Sequence, residues 1–278
     1  MNNKGQIIIT DLLLYIIILI VILSLITFTI VTLNDNQVTR INNKQLNSIL
    51  EDNMNTLTKT SGTPSNWEKT NLKNLKTIGL KSENNHLISY EKLMKLKNNN
   101  QLLNDYFPSG VSYELTLYPK NNPDNKMLIS GNPLSNKKQI LSKSEVILLD
   151  YGFQTTSFNK DNNNESCYYN HNSSWSCKAF TISKTLLNEG KYYIITNSKT
   201  EYVLSNTFSE NITEESEGIT KINKQLEQLL KTENETIHIH IKNNKNHTYL
   251  TYDNNNNEEF LKQVIKPETY ILNMKIAI

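Results

Sequence analysis

Glycine is scarce in this sequence, with eight residues among 278, and the scarcity excludes a class of sites. Loops that cradle phosphates need glycine so that backbone amides can approach the ligand, and no such loop is written here. Neither Gly-x-Ser-x-Gly nor His-Glu-x-x-His occurs, so the sequence gives no support to an enzyme and requires no cofactor. Charge of one sign is missing too: 29 basic residues against 27 acidic ones leave a formal net charge of +2. Without a basic field the chain has no electrostatic footprint for nucleic acid. Cysteine is limited to Cys167 and Cys177, separated by nine residues in a polar, aromatic stretch that reads as two arms of a hairpin. That spacing suits a disulfide formed in an oxidising compartment.

Asparagine, by contrast, is abundant, with 43 residues, and runs such as 98–100 and 254–257 read as loops. Five Asn-x-Ser/Thr sequons, at Asn164, Asn172, Asn211, Asn234 and Asn246, lie in the C-terminal half and mark possible glycosylation sites if the chain is exported. The hydrophobic fraction of 37% is below the globular norm, so the core has to be economical.

The apolar residues are concentrated at one end. Residues 12–33 carry no charge, glycine or proline, and only Tyr15, Ser24 and three threonines interrupt the run. At about 1.5 Å per residue such a helix is expected to span a hydrocarbon core. It continues into Asn34-Asp35-Asn36 with no Ala-x-Ala pattern, unlike a cleaved secretory signal. Directly before it stands Lys4-Gly5-Gln6, which resembles the class III signal peptide of archaeal type IV pilin-like proteins. The resemblance covers about the first thirty residues, with a fainter echo at Thr63-Pro64-Ser65-Asn66-Trp67-Glu68. It implies cleavage by a prepilin peptidase between Gly5 and Gln6, retention of the helix, and association with other pilin-like subunits through it. The acid that the family carries shortly after the cut is matched by Asp11, one step beyond the usual position, as a possible assembly acid.

Beyond the run, Val38, Ile41, Leu46, Ile49, Leu50, Met54 and Leu57 recur at helical spacing, and Ser61-Gly62-Thr63-Pro64 ends the pattern. The expected organisation is a leader over 1–5, a transmembrane helix over 6–33, an amphipathic stalk helix over 34–60 and an extracellular head over 61–278. A short helix is expected over 90–103, begun by Ser89. Alternation predicts strands at 113–117, 145–149, 179–183, 192–196, 236–242, 247–252 and 270–278. Ile219, Ile222, Leu226, Leu229 and Leu230 predict one more helix. The fold class expected is therefore α+β: a long N-terminal transmembrane and stalk helix packed on a largely antiparallel β-sheet head with an additional helix.

On a strand, His238 and His240 project to one face, and with His247 beyond the turn they are the only candidate metal ligands. No clustered acid or cysteine joins them, and none of the motifs above depends on a metal. The functional expectation is a membrane-anchored, surface-exposed pilin-like structural protein, a minor filament subunit. The alternative is an anchored ectodomain that never polymerises and binds a surface ligand, with Tyr168, Tyr169, Trp175, Tyr192 and Tyr193 as an adhesive aromatic surface. The expected location is the cell membrane, crossed once, with the N-terminus cytoplasmic before processing and the C-terminal domain outside. The expected partners are the membrane, a prepilin peptidase and other pilin-like subunits.

Overall fold

In the computed structural model of the chain, 57 residues, Asn3–Lys59, form a single helix, α1. The structure describes the backbone of 3–83, 86–135, 140–158, 174–242 and 247–277, and within α1 the side chains of 14–30 and 44–59. Leu46, Leu50, Met54 and Leu57 fall on one stripe of α1 at steps of four, four and three, and all four are buried. The helix stops where Gly62 takes a φ of +85°, a conformation open to glycine and costly to other residues.

The chain continues through β1 (Gly62–Thr63), β2 (Thr77–Ile78), β3 (Ile88–Ser89), α2 (Tyr90–Asn98), β4 (Ser112–Pro119), β5 (Met127–Gly131), β6 (Ile140–Asp150) and β7 (Gln154–Ser157). There follow β8 (Trp175–Ser183), α3 (Lys184–Glu189), β9 (Lys191–Ser205), β10 (Asn211–Lys221), α4 (Asn223–Leu229), β11 (Asn234–Lys242), β12 (Thr248–Asp253) and β13 (Thr269–Ala277). Ser89 begins α2 as expected, its side chain accepting from the Lys92 amide.

Five strands make the first sheet, in the order β3-β6-β13-β4-β5. Only the β3–β6 pair is parallel. The α1 stripe and Leu93 and Leu96 of α2 cover one face, sharing a core with Leu115, Leu117, Ile147, Leu272, Met274 and Ile276. The second sheet runs β7-β12-β9-β11-β8, with β10 along the other edge of β9. One edge of β9 carries β12 on its first half and β11 on its second, so a single 15-residue strand organises six. The helices α3 and α4 contribute Leu187, Leu226 and Leu229 to its core, beside Tyr192, Ile194, Tyr202, Leu204, Ile237 and Ile239. On the opposite face Tyr193, Ile195 and Leu261 form a third cluster, joined to the first core through Phe153.

This architecture corrects the expected fold class. The chain is mostly β, 42% strand against 31% helix, in two main sheets rather than one head sheet. The extra strand comes from segments too polar to show apolar alternation: β10 reads Asn-Ile-Thr-Glu-Glu-Ser-Glu-Gly-Ile-Thr-Lys, and its neighbour β9 carries Asn197, Ser198, Lys199, Thr200 and Glu201 at its centre. The expected transmembrane helix is overturned as well, because among the described residues no helix is long and apolar enough to cross a membrane. With it falls the expected location as a single-pass membrane protein.

Burial in the second core has a consequence for alkaline stability. Tyr192 packs against Tyr252, ring centroids 4.6 Å apart, and burial with the Tyr252 phenol nearby pushes its hydroxyl up to about 12. A phenol whose folded value exceeds its unfolded value of about 10 contributes stability that is whole below pH 10 and lost as pH rises toward 12. The denaturant midpoint is therefore expected to fall between pH 9.5 and 11.5, and Tyr192→Phe to recover roughly 1 kcal/mol of that loss at pH 11. Midpoints of the two proteins that track each other across this range would refute the assignment.

Candidate functional site

Every described residue of α1 from 14 to 30 is exposed, on all sides of the helix. Its large apolar side chains range from 44% exposed at Ile16 and Leu19 to 72% at Phe28. The polar residues within it do not interrupt that surface. Ser24 donates to the Ile20 carbonyl at 2.8 Å and Thr29 to the Leu25 carbonyl at 2.7 Å, and Thr27 donates to the Leu23 carbonyl in the same way. Their hydroxyls are thus turned back onto the helix. A helix that is apolar on every face is stable only when something covers it. Covering it recovers on the order of 1 kcal/mol for each half-exposed Leu or Ile.

The other end of α1 is fixed to the head. Beyond the buried stripe, Asn53 Nδ2 donates to the Tyr106 carbonyl at 3.1 Å and the Leu80 amide to the Leu57 carbonyl at 2.7 Å. One continuous helix therefore joins an uncovered apolar surface to the core of the first sheet. Lys4, Gly5, Gln6 and Asp11, the expected cleavage motif and assembly acid, have side chains outside the described residues.

A polar cleft of about 300 Å³ opens where the turn after α1, the start of α2 and the loop after β6 meet. Its deepest group is Lys92, whose side chain is 1% exposed. The ammonium donates to the carbonyls of Ser61 and Lys81, each at 2.9 Å, and to that of Ser65, with Glu68 at 4.0 Å. Desolvation lowers the Lys92 pKa, and the charges of Glu68 and Glu83 partly restore it. On the far wall Asp150 accepts from Ser82 Oγ at 2.6 Å and from the Gly152 amide at 2.9 Å. Asp150 is thus held by the chain's own donors, whereas the buried Glu68 Oε2 accepts no hydrogen bond among the described residues and faces the Lys92 ammonium at 4.0 Å. Among the described residues no group of three His, Cys, Asp or Glu is placed to hold a metal ion.

The three histidines do not converge. His240 is fully buried, with Nε2 3.0 Å from Ser205 Oγ. His238 stands beside it, ring centroids 6.5 Å apart, and His247 is exposed. Tyr192 and Tyr193 are core residues, which removes them from any adhesive surface, while Tyr168 and Tyr169 lie outside the described residues. The half-buried Trp175 has the Lys242 ammonium 5.8 Å from its ring centre. Among the described residues there is no disulfide, and the expected setting of Cys177 is corrected: it is buried within β8 opposite His240 rather than on a polar hairpin arm. Cys167 lies outside those residues, as do Asn164, Asn172 and Asn246. Asn211 and Asn234 are exposed at the first residues of β10 and β11.

No family model, curated protein or solved structure matches the chain.

Proposed function

We propose that the chain is a pilin-like structural subunit, a minor component of a filament, which assembles by packing the apolar part of α1 against the same helix of other copies or of like subunits. The observation that carries this reading is the continuity of α1: one end presents an apolar surface on every face, and the other is built into the head. Helices that bury one another provide the cover that such a surface requires. The resemblance of Lys4-Gly5-Gln6 to a class III signal peptide supports the same reading and adds a prepilin peptidase as the processing partner. A rigid connection between α1 and the head would carry the order of the helix bundle out to the heads.

The test combines processing with assembly. Coexpressed with a prepilin peptidase, the chain is expected to begin at Gln6 and to appear in filaments by electron microscopy. Ile20→Glu, which places a charge in the centre of the apolar surface, is expected to abolish the filaments while leaving the circular dichroism of the head unchanged. A product that retains Met1 and forms no filaments would overturn the proposal.

A further inference from the structure

Among the described residues one edge of the first sheet is open along most of β6. β13 pairs with β6 from Ile140 to Leu148 on one side. On the other side β3 meets β6 only at Leu149 and Asp150. Among the described residues no strand lies against 140–148 on that side, and an open edge presents a row of amides and carbonyls ready to pair. The odd residues of this segment face α1, with Ile147 in the core, while Ile140, Val146 and Leu148 face outward at 38%, 62% and 39% exposure.

We propose that two copies of the chain join here, β6 against β6, antiparallel about a two-fold axis at Ser144. The groups that point to the free edge belong to alternate residues, so a strand can pair with its own copy only in registers that set residues of like parity opposite each other. A register centred on Lys143 opposes two lysines, and one centred on Glu145 opposes two glutamates. The register centred on Ser144 sets Lys143 opposite Glu145 twice and Ile140 opposite Leu148 twice. Among the described residues the free edge covers 140–148, bounded by β3 at Leu149, and the register centred on Ser144 lies wholly within it. Beside its far end lies a groove of about 460 Å³ lined by Leu87, Ile88, Val146 and Leu148, where Ile140 of the second copy arrives. An isolated edge lysine usually discourages pairing, whereas here the two-fold axis supplies its counter-charge.

This contact belongs to the head and does not rest on assembly through α1. Its test uses the full chain in a mild detergent, which covers the apolar part of α1, with unmodified chain setting the background from its own cysteines. Under a mild oxidant, Ser144→Cys is expected to yield a covalent dimer quickly, because facing residues at the axis lie within disulfide reach. Ser142→Cys, whose counterpart is about 13 Å away along the strands, should not rise above background. Adding Lys143→Glu to Ser144→Cys is expected to slow dimer formation roughly tenfold, and adding Glu145→Lys as well to restore it. Equal rates at 142 and 144, or a double charge swap as slow as the single one, would overturn the proposal. Either result would leave filament assembly through α1 standing.

Discussion

Lys92→Met is expected to cost the head about 4 kcal/mol and to lower its melting temperature by about 10 °C. The ammonium is the single donor serving three carbonyls from two separate segments, Ser61 and Ser65 in the turn after α1 and Lys81 before β3. Methionine has similar length and fills the same volume, so the loss is polar rather than steric. Each carbonyl left without a donor costs about 1 to 3 kcal/mol when buried, with the low end applying to Ser65, whose residue is exposed. Glu68, with a side chain 10% exposed, would also lose its nearest counter-charge. Against a total stability of about 5 to 15 kcal/mol the change is large. Glu68→Gln should cost far less, because Lys92 keeps its carbonyl partners. Calorimetry of the two variants checks the assignment, and a melting shift below about 3 °C for Lys92→Met would show that water replaces the ammonium.

None of this was legible in the sequence, where Lys92 is one of three lysines on a nine-residue helix and nothing distinguishes it from Lys95 or Lys97. Its burial depends on the turn at 61–65 and the segment at 81 converging on α2, a long-range event without a local signature. The same limit explains the strands that were missed. Strands whose apolar residues alternate, such as β4 with Tyr113, Leu115 and Leu117, announce themselves. β10 does not, because polar contacts rather than apolar side chains fix part of its inner face. Glu214 there accepts from the Tyr202 hydroxyl and from Gln225 Nε2, each at 2.8 Å. Ile219 continued the helical spacing of Ile222, Leu226 and Leu229, yet it belongs to β10 and α4 begins only at Asn223. Periodicity of 3.6 across a strand–helix junction is coincidence, and packing decides the boundary.

The candidate assembly surface was more legible, because an uncharged apolar run is a local property. Reading its solvent was a separate step and gave the wrong answer. Among the described residues no helix is long and apolar enough to cross a membrane, and the proposal invokes other helices as the cover instead.

The two halves of α1 should separate cleanly in a truncation experiment. A chain that begins at residue 44 keeps Leu46, Leu50, Met54 and Leu57, and it is expected to fold with nearly the stability of the full chain while losing all tendency to assemble. A chain that begins at residue 60 loses those four side chains, all 7% exposed or less, whose burial contributes roughly 2 kcal/mol each. It also loses the Leu57 carbonyl that receives the Leu80 amide. A loss near 8 kcal/mol falls within the whole stability expected of a domain, so the first sheet should lose its cooperative melting transition. The second sheet, whose core contains no residue of α1, should keep its own. Two calorimetric transitions in the full chain, of which only the one from the second sheet survives in the shorter truncate, would show that α1 is part of the first core. A truncate from residue 60 that melts like the full chain would mean that the head tolerates loss of the helix, and a helix so loosely held could not carry the order of a bundle into the heads.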